Sequence, residues 1–122
     1  MAGTLTFTDS NVHRIKKYSI SWTSDASGNA TANTAFLSGT LERINFVPGV
    51  GVSDLYDVTI KDSDGVDVLL GGGADLSNVN TTTMIPLISS NKMVVNEKLA
   101  IAVSNAGNAK TGTITIYLSR NW

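Results

Sequence analysis

The feature that most constrains this chain is an alternation of period two that returns along its length. In Tyr18-Ser19-Ile20-Ser21-Trp22-Thr23 the even positions are large and apolar and the odd ones small and polar. Tyr56, Val58 and Ile60 alternate with Asp57, Thr59 and Lys61, and Leu99, Ile101 and Val103 with Ala100, Ala102 and Ser104. Ile114, Ile116 and Leu118 do the same with Thr113, Thr115 and Tyr117. A fifth run holds Leu41, Ile44 and Phe46, with the alternation clean only from Ile44 onward. Successive side chains of a strand point to opposite faces, so each run sets one face on a core and the other nearer solvent, as antiparallel sheets require. Residues 5–8, 66–70 and 84–88 are shorter candidates, which brings the count to about eight strands.

Turn chemistry separates the runs. Asp62-Ser63-Asp64-Gly65 is expected to close a hairpin between the Tyr56 and Val66 strands, and Asn105-Ala106-Gly107-Asn108 a second hairpin between the last two strands. Residues 25–33, rich in Ser, Gly, Ala and Asn, read as a mobile loop or a hairpin tip; Pro48-Gly49-Val50-Gly51 breaks the strand ending at Val47, and Gly71-Gly72-Gly73 opens a sharply turning loop through Asn80. Residues 10–17 carry a capping-type Asp9/Ser10 with Val12 and Ile15 on one helical face, but two turns of helix are marginal alone, and an irregular or strand segment is expected. The pattern predicts an all-β fold, an antiparallel two-sheet sandwich or jelly-roll-like barrel. At 122 residues there is one core, organised as an N-terminal arm and lead-in over residues 1–17 and a single β-sandwich domain over residues 18–122.

The composition narrows the chemistry. There is no cysteine, and His13 is the single histidine, which excludes thiol catalysis, disulfides and histidine metal clusters. Serine and threonine are abundant, but a nucleophilic hydroxyl needs a positioned base, and neither G-x-S-x-G nor a supported S-x-x-K is present. No enzyme and no cofactor is expected. A formal charge of −1 and a pI near 5.6 argue against direct nucleic-acid binding. The apolar runs are far shorter than the ~20 residues a spanning helix needs, and the N-terminus has neither the basic nor the apolar stretch of a signal peptide.

Four local features have a functional reading beside a structural one. Asp62, Asp64 and Asp67, with Asp57 upstream, offer carboxylate oxygens to a hard cation such as calcium, yet lack the full ligand set and terminal Glu of an EF-hand; Asp and Gly are also ordinary turn formers. His13, Arg14, Lys16 and Lys17 form a basic cluster suited to an acidic partner surface or to a solvated strand edge. Thr4-Leu5-Thr6-Phe7-Thr8 is either an edge strand of the chain's own sheet or a segment donated to a partner, with Leu5 and Phe7 filling pockets. Trp22 belongs to the apolar face of its run, whereas Trp122, beyond the final strand, is expected to tuck into its own domain or a neighbouring subunit.

Three stretches carry a resemblance: Trp22-Thr23-Ser24-Asp25-Ala26-Ser27-Gly28-Asn29; Ser38-Gly39-Thr40-Leu41-Glu42-Arg43-Ile44-Asn45-Phe46-Val47-Pro48-Gly49; and the run from Asp54 through Leu69 that contains Asp62-Ser63-Asp64-Gly65. With the closing Val103-Ser104-Asn105-Ala106-Gly107-Asn108-Ala109-Lys110-Thr111-Gly112 and its final strand, they resemble small β-rich structural proteins of tailed bacteriophages, of the head decoration or cement type. The resemblance implies a non-catalytic virion component on the outer capsid surface, assembled in the host cytoplasm. It implies the major capsid protein and further copies of itself, commonly a trimer, as partners, and a terminal arm that touches the shell. The candidate partner contacts are then Leu5, Phe7, Arg14, Lys16, Lys17 and Trp122. A tail component and a carbohydrate-binding β-sandwich module are the alternatives.

Overall fold

The alternating runs become strands, and every ladder between them is antiparallel. The computed structural model describes residues 3–12 and 15–119, and for residues 7–12 the backbone alone. Along the described residues run β1 (Thr4–Val12), β2 (Ile15–Thr23), β3 (Ala30–Asn33), β4 (Leu37–Pro48), β5 (Asp57–Lys61), β6 (Thr82–Met84), β7 (Leu87–Ile88), β8 (Asn91–Lys92), β9 (Val94–Glu97), β10 (Ala100–Ser104) and β11 (Thr111–Ser119). The fold is all-β. A large, curled sheet has the order β1-β2-β11-β4-β6, with β9 also paired to β4; a small sheet has the order β3-β10-β5; the β7–β8 hairpin stands apart from both.

The inward faces of the two sheets share one core. Tyr18, Ile20 and Trp22 of β2, Leu41, Ile44 and Phe46 of β4, and Ile114, Ile116 and Leu118 of β11 join Val58 and Ile60 of β5 and Ile101 and Val103 of β10, all buried. The Trp22 and Tyr56 rings meet at 5.8 Å between centroids, tilted by 43°. Burial pushes the Tyr56 hydroxyl up to about 12.

Several local expectations change against this frame. The Asn105–Asn108 turn joins no hairpin, because β10 pairs with β3 and β5 while β11 pairs with β2 and β4. It carries the chain from the small sheet to the large one. Ser24 holds the crossing, its hydroxyl donating to the Gly107 carbonyl at 2.5 Å and accepting from the Lys110 amide at 2.9 Å. Residues 66–70 do not extend as a strand. After one bridge between Lys61 and Asp67, the Asp67 carboxylate accepts the amides of Leu69 (3.1 Å) and Gly71 (3.0 Å) and turns the chain away. The run at 84–88 is divided into β6 and β7, since Pro86 lacks the N–H that a continuous ladder needs.

Residues 4–12 form an edge strand of the chain's own sheet, paired with β2 along their whole length from Thr4↔Thr23 to Val12↔Ile15. The boundary expected between residues 17 and 18 falls inside β2.

Gly112 lies opposite Trp22 in the β2–β11 ladder, and a Cβ there would stand 2.3 Å from the indole Cζ2. The absent side chain is what lets the indole lie flat in the core. Gly112→Ala should therefore destabilise the fold by about 1–3 kcal/mol through overpacking, read as a lower urea midpoint at unchanged slope.

Candidate interaction surface

The outward face of the large sheet follows from register. Threonines and serines sit at alternate positions of β1, β2 and β11, so pairing stacks them into rows across the sheet. One row is Thr4–Thr23–Thr111, the next Thr6–Ser21–Thr113–Val47, and a third sets Ser19, Thr115, Asn45 and Thr83 side by side. Thr83 donates its hydroxyl to the Asn45 side-chain oxygen at 2.9 Å. None of these side chains ionises in the ordinary pH range, so this area offers hydrogen bonds and methyl groups and no acid–base chemistry.

The next row is different. Lys17 on β2 and Arg43 on β4 both lie opposite Tyr117 of β11. The Arg43 guanidinium sits 4.2 Å from the centre of the Tyr117 ring, and the Lys17 ammonium 5.9 Å. The ring holds two exposed cations in place by cation–π attraction.

A β-bulge sets this row. In the β4–β11 ladder Arg43 pairs with Tyr117 and Leu41 with Leu118, which leaves Glu42 as an extra residue. The Glu42 carboxylate receives the Lys92 ammonium at 2.5 Å on one oxygen and the Ser119 hydroxyl at 2.5 Å on the other. These two donors, Lys92 first, hold its carboxyl below the ordinary carboxylate range against a smaller opposing effect of burial.

Lys92 is the last residue of the β7–β8 hairpin, so the bulge anchors that hairpin's base. The Leu41 amide adds a bond to the Met93 carbonyl at 2.8 Å. Leu87 pairs with Lys92 and Ile88 with Asn91 around Ser89 and Ser90, whose φ values of 50° and 67° are those of a type I′ turn. The hairpin leaves the edge of the large sheet between β6 and β9; its Leu87 (47% exposed) and Ile88 (51%), and Ile85 (48%) just before it, face water. An isolated two-stranded hairpin is marginal in water, and about half of each of these apolar side chains remains exposed. A shallow cavity of about 320 Å³ lies nearby, lined by Ser38, Gly39, Thr40, Val94, Val95, Asn96 and Ser119.

Of the residues expected to touch partners, the side chains of Leu5, Lys16 and Lys17 are described. Leu5 is partly buried and packs on the chain's own core. Phe7 is placed only as a position in β1, and Arg14 and Trp122 lie outside the described residues, as does His13. Lys16 and Lys17 are successive residues of one strand, so they point to opposite faces and form no common cluster. Of the two, Lys17 faces outward, and it is joined there by Arg43. Of the four aspartates of the expected cation site, Asp57, Asp62 and Asp67 have their carboxylates engaged by the chain's own amides. Asp62 accepts the amides of Asp64 and Val66, each at 2.9 Å, and Asp67 those of Ile60, Leu69 and Gly71. Asp57 accepts the Asp75 amide and the Asn105 side-chain amide. Among the described residues no group of three or more His, Cys, Asp or Glu is placed to hold a metal ion.

Charge is unevenly distributed. Residues 50–80, which form β5 and the loops around it, hold six carboxylates (Asp54, Asp57, Asp62, Asp64, Asp67, Asp75) against one cation, Lys61. The rest of the chain holds four carboxylates against eight lysines and arginines. No helix of the described residues is long and apolar enough to cross a membrane. No protein-family model matches the chain, and neither a curated protein nor a solved structure matches it.

The Glu42 anchor predicts a local acid effect. A carboxyl with a lowered folded-state pKa contributes stability above the ordinary carboxylate range, and that contribution is lost as pH falls through the folded-state value. Because Lys92 and Glu42 are partly solvated, the anchor is worth roughly 1 kcal/mol or less. Glu42→Gln at neutral pH, or acidification of the unaltered protein, should speed amide exchange at residues 87–92 while the melting temperature shifts by only a few degrees.

Proposed function

We propose that this chain is a non-catalytic assembly module of the bacteriophage decoration type, which binds the outer surface of a viral head and stabilises it by bridging capsid subunits. The observation that most supports the reading is the anchored hairpin: Leu87 and Ile88, with Ile85 just before them, are half-exposed, and no residue of the hairpin belongs to the buried core. Such a group is suited to burial against a partner. The resemblance of the strand-and-turn stretches to decoration proteins supplies the identity of that partner, the major capsid protein. Several linked copies, a trimer in this reading, would engage a symmetric shell site together and tighten binding by roughly 10²–10⁴-fold over one contact. A jelly-roll-like sandwich of about eight strands goes with it; it is supported by the repeated passage of the chain between the two sheets, at β2–β3, β3–β4, β4–β5, β5–β6, β9–β10 and β10–β11.

The carbohydrate-binding reading finds less support. A sugar platform needs several aromatic faces in one exposed plane, and Tyr18, Trp22, Phe46 and Tyr56 are all in the core.

The test is occupancy on purified heads that lack this protein. Leu87→Asp/Ile88→Asp, shown to be folded by its near-ultraviolet circular dichroism, should decorate heads at least about tenfold more weakly than the unaltered chain. Unchanged occupancy of this variant would remove the hairpin from the contact. Recovery of the protein from tails alone would remove the capsid reading.

A further inference from the structure

The outward face of the large sheet carries free charge of one sign. Among the described side chains of its strands the carboxylates are Glu42 and Glu97. Glu42 is taken up by Lys92 and Ser119. Glu97 pairs with Leu37, a fully buried core residue, and accepts the Ser63 amide. At a third acidic position, Asp9 of β1, the register partner is Tyr18, which faces the core. Lys17 and Arg43 are both exposed, and the one ion pair among the described residues, Lys92–Glu42, leaves both of them unneutralised.

These two cations are held in place. Tyr117 lies between them, with the Arg43 guanidinium 4.2 Å and the Lys17 ammonium 5.9 Å from its ring centre. A guanidinium laid on a ring keeps N–H donors at its rim and loses little freedom when it meets a carboxylate. Because β2 and β4 flank β11, the two cations rise from strands about 10 Å apart. The row is also continuous with the apolar hairpin. Arg43 follows Glu42 at the bulge, Glu42 holds Lys92, and Lys92 pairs with Leu87.

We propose that the cationic row and the hairpin act as one docking surface for a carboxylate-bearing protein face, in which two carboxylates meet Arg43 and Lys17 while Leu87 and Ile88 enter an apolar pocket beside them. Charge complementarity selects this occupant. Two cations on a face whose remaining polar groups are mainly hydroxyls match a pair of side-chain carboxylates. A nucleic-acid backbone would ask for more cations than this face holds, on a chain whose formal charge is −1. The inference rests on the proposed function and gives the head surface named there a chemistry.

The experiment measures occupancy on purified heads that lack this protein, using the full chain and Lys17→Gln/Arg43→Gln, the latter shown to be folded by an unchanged circular dichroism spectrum. Binding of the unaltered chain should weaken by about tenfold or more as salt is raised from roughly 0.05 to 0.5 M. At low salt the variant should bind about tenfold more weakly than the unaltered chain, and it should respond little to added salt. A second set of heads has its surface carboxylates converted to neutral amides with carbodiimide and glycinamide and is checked for intactness by negative-stain microscopy. These heads should bind both forms equally weakly, because either change removes the same pairs. Unchanged occupancy of the variant on untreated heads, or of the unaltered chain on amidated heads, overturns the proposal while the capsid reading stands. If the unaltered chain binds no heads at any salt concentration, the capsid reading fails and this docking surface fails with it.

Discussion

One extra residue in β4 organises what lies outside the core. Leu41 and Ile44 must both point inward, and they are three positions apart where a regular strand allows two or four. The bulge resolves this by turning Glu42 and Arg43 outward together. Each then takes a different neighbour. Glu42 reaches Lys92 and fixes the base of the β7–β8 hairpin, and Arg43 lies on Tyr117 and completes the cationic row. The apolar hairpin and the paired cations are therefore consequences of a single packing demand made by two buried aliphatic side chains.

The chain carries few charges, and many of its carboxylates serve its own backbone. Asp25 accepts the amides of Ser27 and Asn29 at the β2–β3 crossing, and the Asn29 amide above all holds its carboxyl below the ordinary range. Asp62 and Asp67 do equivalent work after β5. This explains why a sequence rich in aspartate near Gly65 and Gly71 resembles a cation site: the geometry that gathers amides around a carboxylate is the same turn geometry that would gather carboxylates around an ion. Here the amides occupy it.

The inward faces were legible in the sequence because a period of two is a direct record of burial. Ile20, Trp22, Val58, Ile60, Ile101, Val103, Ile114 and Ile116 all sit where alternation places them. The irregular step from Leu41 to Ile44 was visible too, and it marks the bulge. Partnerships between strands were not legible. Alternation is identical whether β11 pairs with its neighbour β10 or with the distant β2 and β4, so the Asn105–Asn108 turn read as a hairpin. For the same reason Arg43 and Tyr117, far apart in sequence, gave no sign of meeting Lys17. The hairpin at residues 87–92 was hidden because Ser89-Ser90 lacks the glycine or asparagine that usually marks a type I′ turn.

The position of β11 has a consequence in time. It lies between β2 and β4, and no ladder joins those two strands without it. Among the described residues it also follows every other strand. As the polypeptide leaves the ribosome, the β1–β2 hairpin and the β4 group emerge as separate pieces, each with half of an apolar face uncovered. The large sheet becomes one body only when residues 111–119 insert between them. Folding of this module is thus an event of the completed strand set, a slow, long-range closure rather than a progressive one, and the interval before it is when the nascent chain is most open to wrong pairing.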